Sequence, residues 1–403
     1  MRVRREFRTC VSQYVLPLLL GLAALSSTQP AHAKVKVIYR FAGQSVIDGS
    51  QPSGDLAVLS GKHGASIYGT TFSGGIDVQK CEDRGFLGCG TVFRISNGVE
   101  EVLYRFKGGL DGGNPNGVIR DGAGNLYGTT KVGGQYYSAG AVFKLARNGK
   151  ETTLFSFDGH ETGSQPLGGV ILDGADNLYG TTSLGGQSGW GTVFKLAPDG
   201  AETVLHSFGY PKDADGAIPV GRLIRDAAGN LYGVTNSGAN YHGTVFKVAP
   251  DGTETILHAF TGGDDGDLPE FGLVADATGA LYGTASGGGG GQGGVLFKIG
   301  PDGTFTGLHA FAGGREGSLP GALTLEPATG DIYGATGRGG KYGVGTAYKL
   351  APDGTFTTLF SLDGSEGTGV SSLTSDGNGH VYGAAAVGGS ALGQGTIFRF
   401  NEH

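Results

Sequence analysis

The stretch Gly221-Arg-Leu-Ile-Arg-Asp226, Ala227-Ala-Gly-Asn230, Leu231-Tyr-Gly-Val-Thr235, Gly243-Thr-Val-Phe-Lys-Val248, Pro250-Asp-Gly252 and Glu254-Thr-Ile-Leu-His-Ala-Phe260 contains four short runs of aliphatic, β-branched and aromatic residues. Each run has the length of a strand. Gly-Asn joins the first run to the second, and Pro-Asp-Gly joins the third to the fourth. Both are turn chemistry, because Gly and Asn tolerate positive φ and Pro presets the turn entry. The join between the second and third runs is longer and rich in glycine. A still longer junction, often Asp-Gly-x-x-Pro, follows the fourth run, as from Asp215 to Pro219 and from Asp265 to Pro269. Short and long joins alternate, so all the long ones emerge on one face.

This unit recurs. Its Tyr-Gly pair appears at Tyr68, Tyr127, Tyr179, Tyr232, Tyr282, Tyr333 and Tyr382. A period near 50 residues belongs to solenoids and propellers. The longest interval, between Tyr68 and Tyr127, contains Cys81 and Cys89 and reads as a loop insertion. Counting strands decides between an open and a closed array. A lone fourth-type run, Val35–Phe41, precedes the first complete unit, and the chain closes on a lone third-type run, Gly395–Phe400. Pairing the two closes a ring, whereas an open solenoid needs caps at both ends. The expectation is all-β: residues 34–403 as a seven-bladed β-propeller of four-stranded blades, closed by the N-terminal strand.

Composition agrees. Of 403 residues 82 are Gly, which argues against long helices. There is no glycine at every third position, so collagen is excluded. With 38% hydrophobic residues, 21 Phe and 16 Tyr, the chain is too apolar for a disordered coil. Residues 1–33 have a basic start, an apolar run from Val15 to Leu25 and the end Ala31-His-Ala33, which reads as a secretory signal peptide. The run is too short to span a membrane. Removing residues 1–33 takes away four Arg and one Glu and lowers the net charge from −7 to −10. A secreted or periplasmic, acidic monomer is expected, with no membrane span and no nucleic-acid partner. In an oxidising compartment Cys81 and Cys89 are expected to form a disulfide.

The repeated Asp-x-x-Gly-Asn-Leu-Tyr-Gly-Thr-Thr, Gly-Thr-Val-Phe-Lys-Leu and Pro-Asp-Gly segments resemble the "choice-of-anchor" GloVer tandem-repeat family of exported bacterial proteins. More loosely, they are similar to NHL and streptogramin-lyase-like propellers. The resemblance covers the whole chain after the signal and implies an extracytoplasmic propeller without a settled activity. Some relatives carry an anchoring tail; here the chain stops three residues after its last strand, which argues against one.

Residues shared by every unit are architectural first, so function is sought where the repeat is broken on the long-loop face. His206, His258 and His309 fall where other units have Tyr104, Phe155 and Phe360, a position that asks for a flat ring. Tyr136, Tyr137, Trp190, Tyr241, His242 and Tyr342 lie on the glycine-rich loops and could offer rings to a sugar, their polar tips left in water. Asp213, Asp215, Asp265 and Asp267 have the close spacing of oxygen donors for calcium, without a full calcium loop. Gly-x-Ser-x-Gly, His-Glu-x-x-His and P-loop motifs are absent. Gly289-x-Gly291-x-x-Gly294 leads into a strand and not into a helix, which removes it as a dinucleotide site. His160 and His242 are the only candidate bases. The expected function is a non-enzymatic binding module for a glycan or a surface macromolecule. The alternatives are a carbohydrate-active lyase or hydrolase using the propeller mouth, and a structural envelope protein.

Overall fold

The computed structural model describes residues 33–42, 48–61, 64–75, 88–136, 138–209, 215–238, 241–389 and 393–401. They form seven antiparallel sheets arranged as the blades of a propeller. Blades 1 to 6 span residues 50–105, 113–156, 171–207, 216–259, 274–310 and 318–361. Blade 7 takes three strands from residues 368–401 and its outermost from Lys34–Arg40. That strand pairs antiparallel with Thr396–Asn401, from Lys34↔Asn401 to Arg40↔Thr396, so the ring closes as strand counting requires. Of the signal-peptide reading over residues 1–33, residues 1–32 lie outside the described residues, as does Cys81, while Ala33 is buried. Cys89 is buried just before strand Thr91–Ser96.

Packing explains why the motifs repeat. The glycine of every Tyr-Gly lies under the aromatic ring of the third strand. A Cβ on Gly233 would sit 2.6 Å from Phe246, and one on Gly334 would sit 2.2 Å from Tyr348. Only a bare backbone admits the ring there. The preceding tyrosine reaches back to the turn aspartate: Tyr179 donates to Asp173 at 3.0 Å and Tyr232 to Asp226 at 3.0 Å. Burial would raise the Asp173 carboxyl, but bonds from Asn177, Ala175 and Tyr179 outweigh that and hold it at about 2.

The core runs between blades. Phe208 directly follows the outer strand of blade 3, is fully buried, and packs edge-on against Phe246 of blade 4 with centroids 5.1 Å apart. Phe41–Phe93, Phe106–Phe143, Phe157–Phe194 and Phe260–Phe297 repeat the contact at other seams. A bulge in the outer strand aims a second ring at the same place. In blade 3 the register shifts between Val193↔His206 and Phe194↔Val204, which sets His206 edge-on to Phe208 at 4.8 Å.

Candidate functional site

The long junctions from one blade to the next build the mouth of the propeller. In six of them the residue before the conserved proline has a left-handed backbone: Gln51, Asn114, Gln165, Ile218, Leu268 and Leu319, with φ between 52° and 58°. Blade 7 has Gly369 there at 61°. For β-branched Ile218 this conformation costs on the order of 1–3 kcal/mol. The return is a backbone bond to the preceding blade, as from Ile218 N to Trp190 O at 2.9 Å and from Leu268 N to His242 O at 3.2 Å. The proline then lies against the glycine that opens the preceding blade's third strand: a Cβ on Gly243 would sit 2.6 Å from Pro269.

These inner strands surround a channel of about 340 Å³ with lining residues from all seven blades. Around the channel, inner strands of adjacent blades meet backbone against backbone, since a Cβ on Gly54 would lie 2.3 Å from Gly117 N and one on Gly221 2.4 Å from Gly272 N. Asp55 of blade 1 and Arg222 of blade 4 pair across it at 3.2 Å. Asn116, Glu270, Thr324 and Ser371 also face the cavity. At 32% and 41% side-chain exposure the ion pair contributes about 0–1 kcal/mol to stability.

The sequence candidates divide into three groups. Tyr136, Tyr241 and Tyr342 are 50%, 60% and 52% exposed on the loops that flank the mouth. Tyr241 combines that exposure with φ of 73°, a costly backbone for a bulky side chain. Tyr342 carries the Lys341 ammonium 4.9 Å from its ring centroid. Trp190 is half-buried against the Phe208 cluster between blades 3 and 4, and is a packing residue before it is a platform. Tyr137 lies outside the described residues. His160 is exposed. His242 has what sequence reading could not supply, a second group: Asp267 Oδ1 lies 3.0 Å from its Nδ1.

The acidic candidates stand in two junctions, before blade 4 and before blade 5. Asp213 lies outside the described residues. Asp265 accepts from His258 Nε2 and from the Thr261 backbone N–H, both at 3.0 Å, while Asp267 serves His242. The flat-ring position therefore also uses its polar tip: Tyr39 donates to Asp48 and Tyr104 to Asp111, both at 2.9 Å. A further acid from the next blade approaches the same place, and sequence reading missed it. Glu151 and Glu202 begin the outer strands of blades 2 and 3, and Glu100 is the second residue of that of blade 1. Burial, reinforced by Asp48, Asp111 and Asp158 respectively, raises each carboxyl to about 7. At the seams between blades 4 and 5 and between blades 5 and 6 that position holds Phe305 and Phe356, which stack on His258 and His309 at 3.8 Å and 3.7 Å. Burial against Phe305 outweighs Asp265 and keeps the His258 imidazole below its usual range.

The profile of the Gloeobacter/Verrucomicrobia repeat matches residues 79–290 and again 237–403. No curated protein matches the sequence. Among solved structures, the extracellular domain of BT4673 from B. thetaiotaomicron is similar in fold, with a TM-score of 0.58 and 13% identity over 91% of this chain and 40% of that one. PorZ, a surface component of the type-IX secretion system of Porphyromonas gingivalis, has a TM-score of 0.50 and 14% identity over 90% of this chain and 47% of its own. Puromycin hydrolase, in its S511A form, has a TM-score of 0.51 and 12% identity over 78% and 47%. This chain spans less than half of each, and the likeness is one of fold.

Proposed function

The chain belongs to the Gloeobacter/Verrucomicrobia repeat family, and we propose that this member is an exported, non-enzymatic propeller that binds a glycan at the mouth of its channel. The observation that carries the reading is Tyr241. Its ring is 60% exposed and its backbone is left-handed, at φ of 73°. Backbone strain held at an exposed aromatic supports a binding surface. Tyr136 and Tyr342 add rings on the same face. A phenol offers a sugar an apolar face and a hydrogen-bonding tip with little rotamer entropy to lose. The Asp55–Arg222 pair, Asn116 and Thr324 supply polar contacts deeper in the channel.

A second reading, a lyase or hydrolase, rests on the His242–Asp267 pair, in which the carboxylate can orient the imidazole as a base. A glycan array on the chain from residue 34, followed by incubation of each hit with the protein, separates the two. Binding without new chain ends supports the module. Rising absorbance of unsaturated uronates, abolished in His242→Ala, supports the enzyme. An array with no hits overturns glycan binding and leaves a structural role.

A further inference from the structure

The seam between blades 3 and 4 differs from the other six in its polar groups. His206 comes from the outer strand of blade 3, Asp215 from the junction, and Glu254 from the start of the outer strand of blade 4. One donor atom from each lies within 4.8 Å of the other two. His206 Nε2 stands 3.4 Å from Asp215 Oδ1 without making a hydrogen bond, and both that nitrogen and Glu254 Oε1 are buried with no partner. Leaving such groups unsatisfied is unfavourable, and a bound cation would satisfy both. The Asp215 carboxylate is already oriented, since Gly209 N donates to Oδ2 at 2.6 Å and Gly216 N to Oδ1 at 2.8 Å. The imidazole is held edge-on to Phe208.

We propose that His206, Asp215 and Glu254 bind a divalent transition-metal ion of the Zn²⁺ type, which ties blade 3 to blade 4. One imidazole nitrogen and two carboxylates are a donor set for zinc or manganese, whereas calcium takes six to eight oxygens. Zinc bonds of about 2.0–2.2 Å require the three donors to draw in by roughly an ångström, which rotation of the Glu254 side chain supplies. Three protein ligands leave a position for water. The backbone N–H groups on Asp215 act as the outer shell that fixes a ligating carboxylate. Among the described residues, five of the other six seams show what the site requires. Where the ring is His258 or His309, the third position is Phe305 or Phe356 and lies flat on the imidazole. Where the third position is Glu100, Glu151 or Glu202, the ring is Tyr39, Tyr104 or Phe155.

The test uses the untagged chain, stripped with chelator and titrated with Zn²⁺, Mn²⁺ and Ca²⁺ by calorimetry, with melting curves in parallel. One tight equivalent of Zn²⁺ and a rise in Tm are expected. His206→Phe copies Phe155 of blade 2, and Glu254→Phe copies Phe305 of blade 5, so each variant takes a residue that another seam already accommodates. Each is expected to weaken zinc binding about 100-fold and to remove the shift in Tm. The proposal fails if the wild-type chain binds no zinc, or if both variants bind it as the parent does. It also fails if Ca²⁺ binds as tightly as Zn²⁺, which would return the site to the oxygen-donor loops expected around Asp213 and Asp215.

Discussion

The seam between blades 1 and 2 and the seam between blades 4 and 5 share one apolar core and differ at its polar edge. In the first, Phe106 meets Phe143, the ring above is Tyr104, and Asp111 and Glu151 face it. In the second, Phe260 meets Phe297, the ring above is His258, and Phe305 lies flat on it. The core layer carries the stability and is the same in both; the edge is free to vary. One edge concentrates negative charge in a half-buried place, while the other replaces an acid with stacking. An edge that tolerates both is where a repeat can acquire a ligand without disturbing its neighbours.

The largest test removes a seam altogether. Deleting Val35–Phe41 strips blade 7 of its outer strand and takes Phe41 from its contact with Phe93. The expected result is insoluble protein, and a soluble variant with a cooperative melt would refute closure. Next come Phe106→Ala and Phe260→Ala, one on each kind of seam. Both side chains are buried, and each truncation is expected to cost about 3–5 kcal/mol in chemical denaturation. Costs differing by more than about 2 kcal/mol would show that the edges, and not the shared core, set seam strength.

The acidic edges predict a pH dependence that the aromatic ones lack. Glu100 and Glu151 are raised to about 7 in the folded chain from an ordinary value near 4.5. A raised carboxyl binds its proton more tightly when folded, so its stabilising contribution is complete below about pH 4.5. It is lost as pH climbs through 7. Glu100→Gln and Glu151→Gln are each expected to raise stability by on the order of 1–3 kcal/mol at pH 8 and to change it little at pH 4.5. Melts across that range check it, and parallel curves for parent and variants would sink it. The smallest effect lies away from every seam. Tyr241→Gly relieves the left-handed backbone and is expected to raise stability by about 1 kcal/mol while weakening any glycan recovered from the array. A variant that gains stability and keeps binding would remove Tyr241 from the surface.

The blade count, strand order and ring closure were all legible in the chain, because turn residues and apolar runs are local signals and recur seven times. Tyr-Gly, Gly-Thr-Val-Phe and the junction proline were visible as motifs, but their reason was not. Gly233 exists for Phe246 and Gly243 for Pro269, and only packing reveals which atom occupies the missing Cβ. Tyr241 was legible as a loop aromatic, though its strained backbone was not. The His206–Asp215–Glu254 set could not be read from spacing. Its members stand 9 and 39 positions apart and belong to two blades, as does the pairing of His258 with Phe305. Periodicity alone specified what every blade shares. Which of the varied residues meet was decided by closing the ring, since that step alone sets the outer strand of one blade beside that of the next.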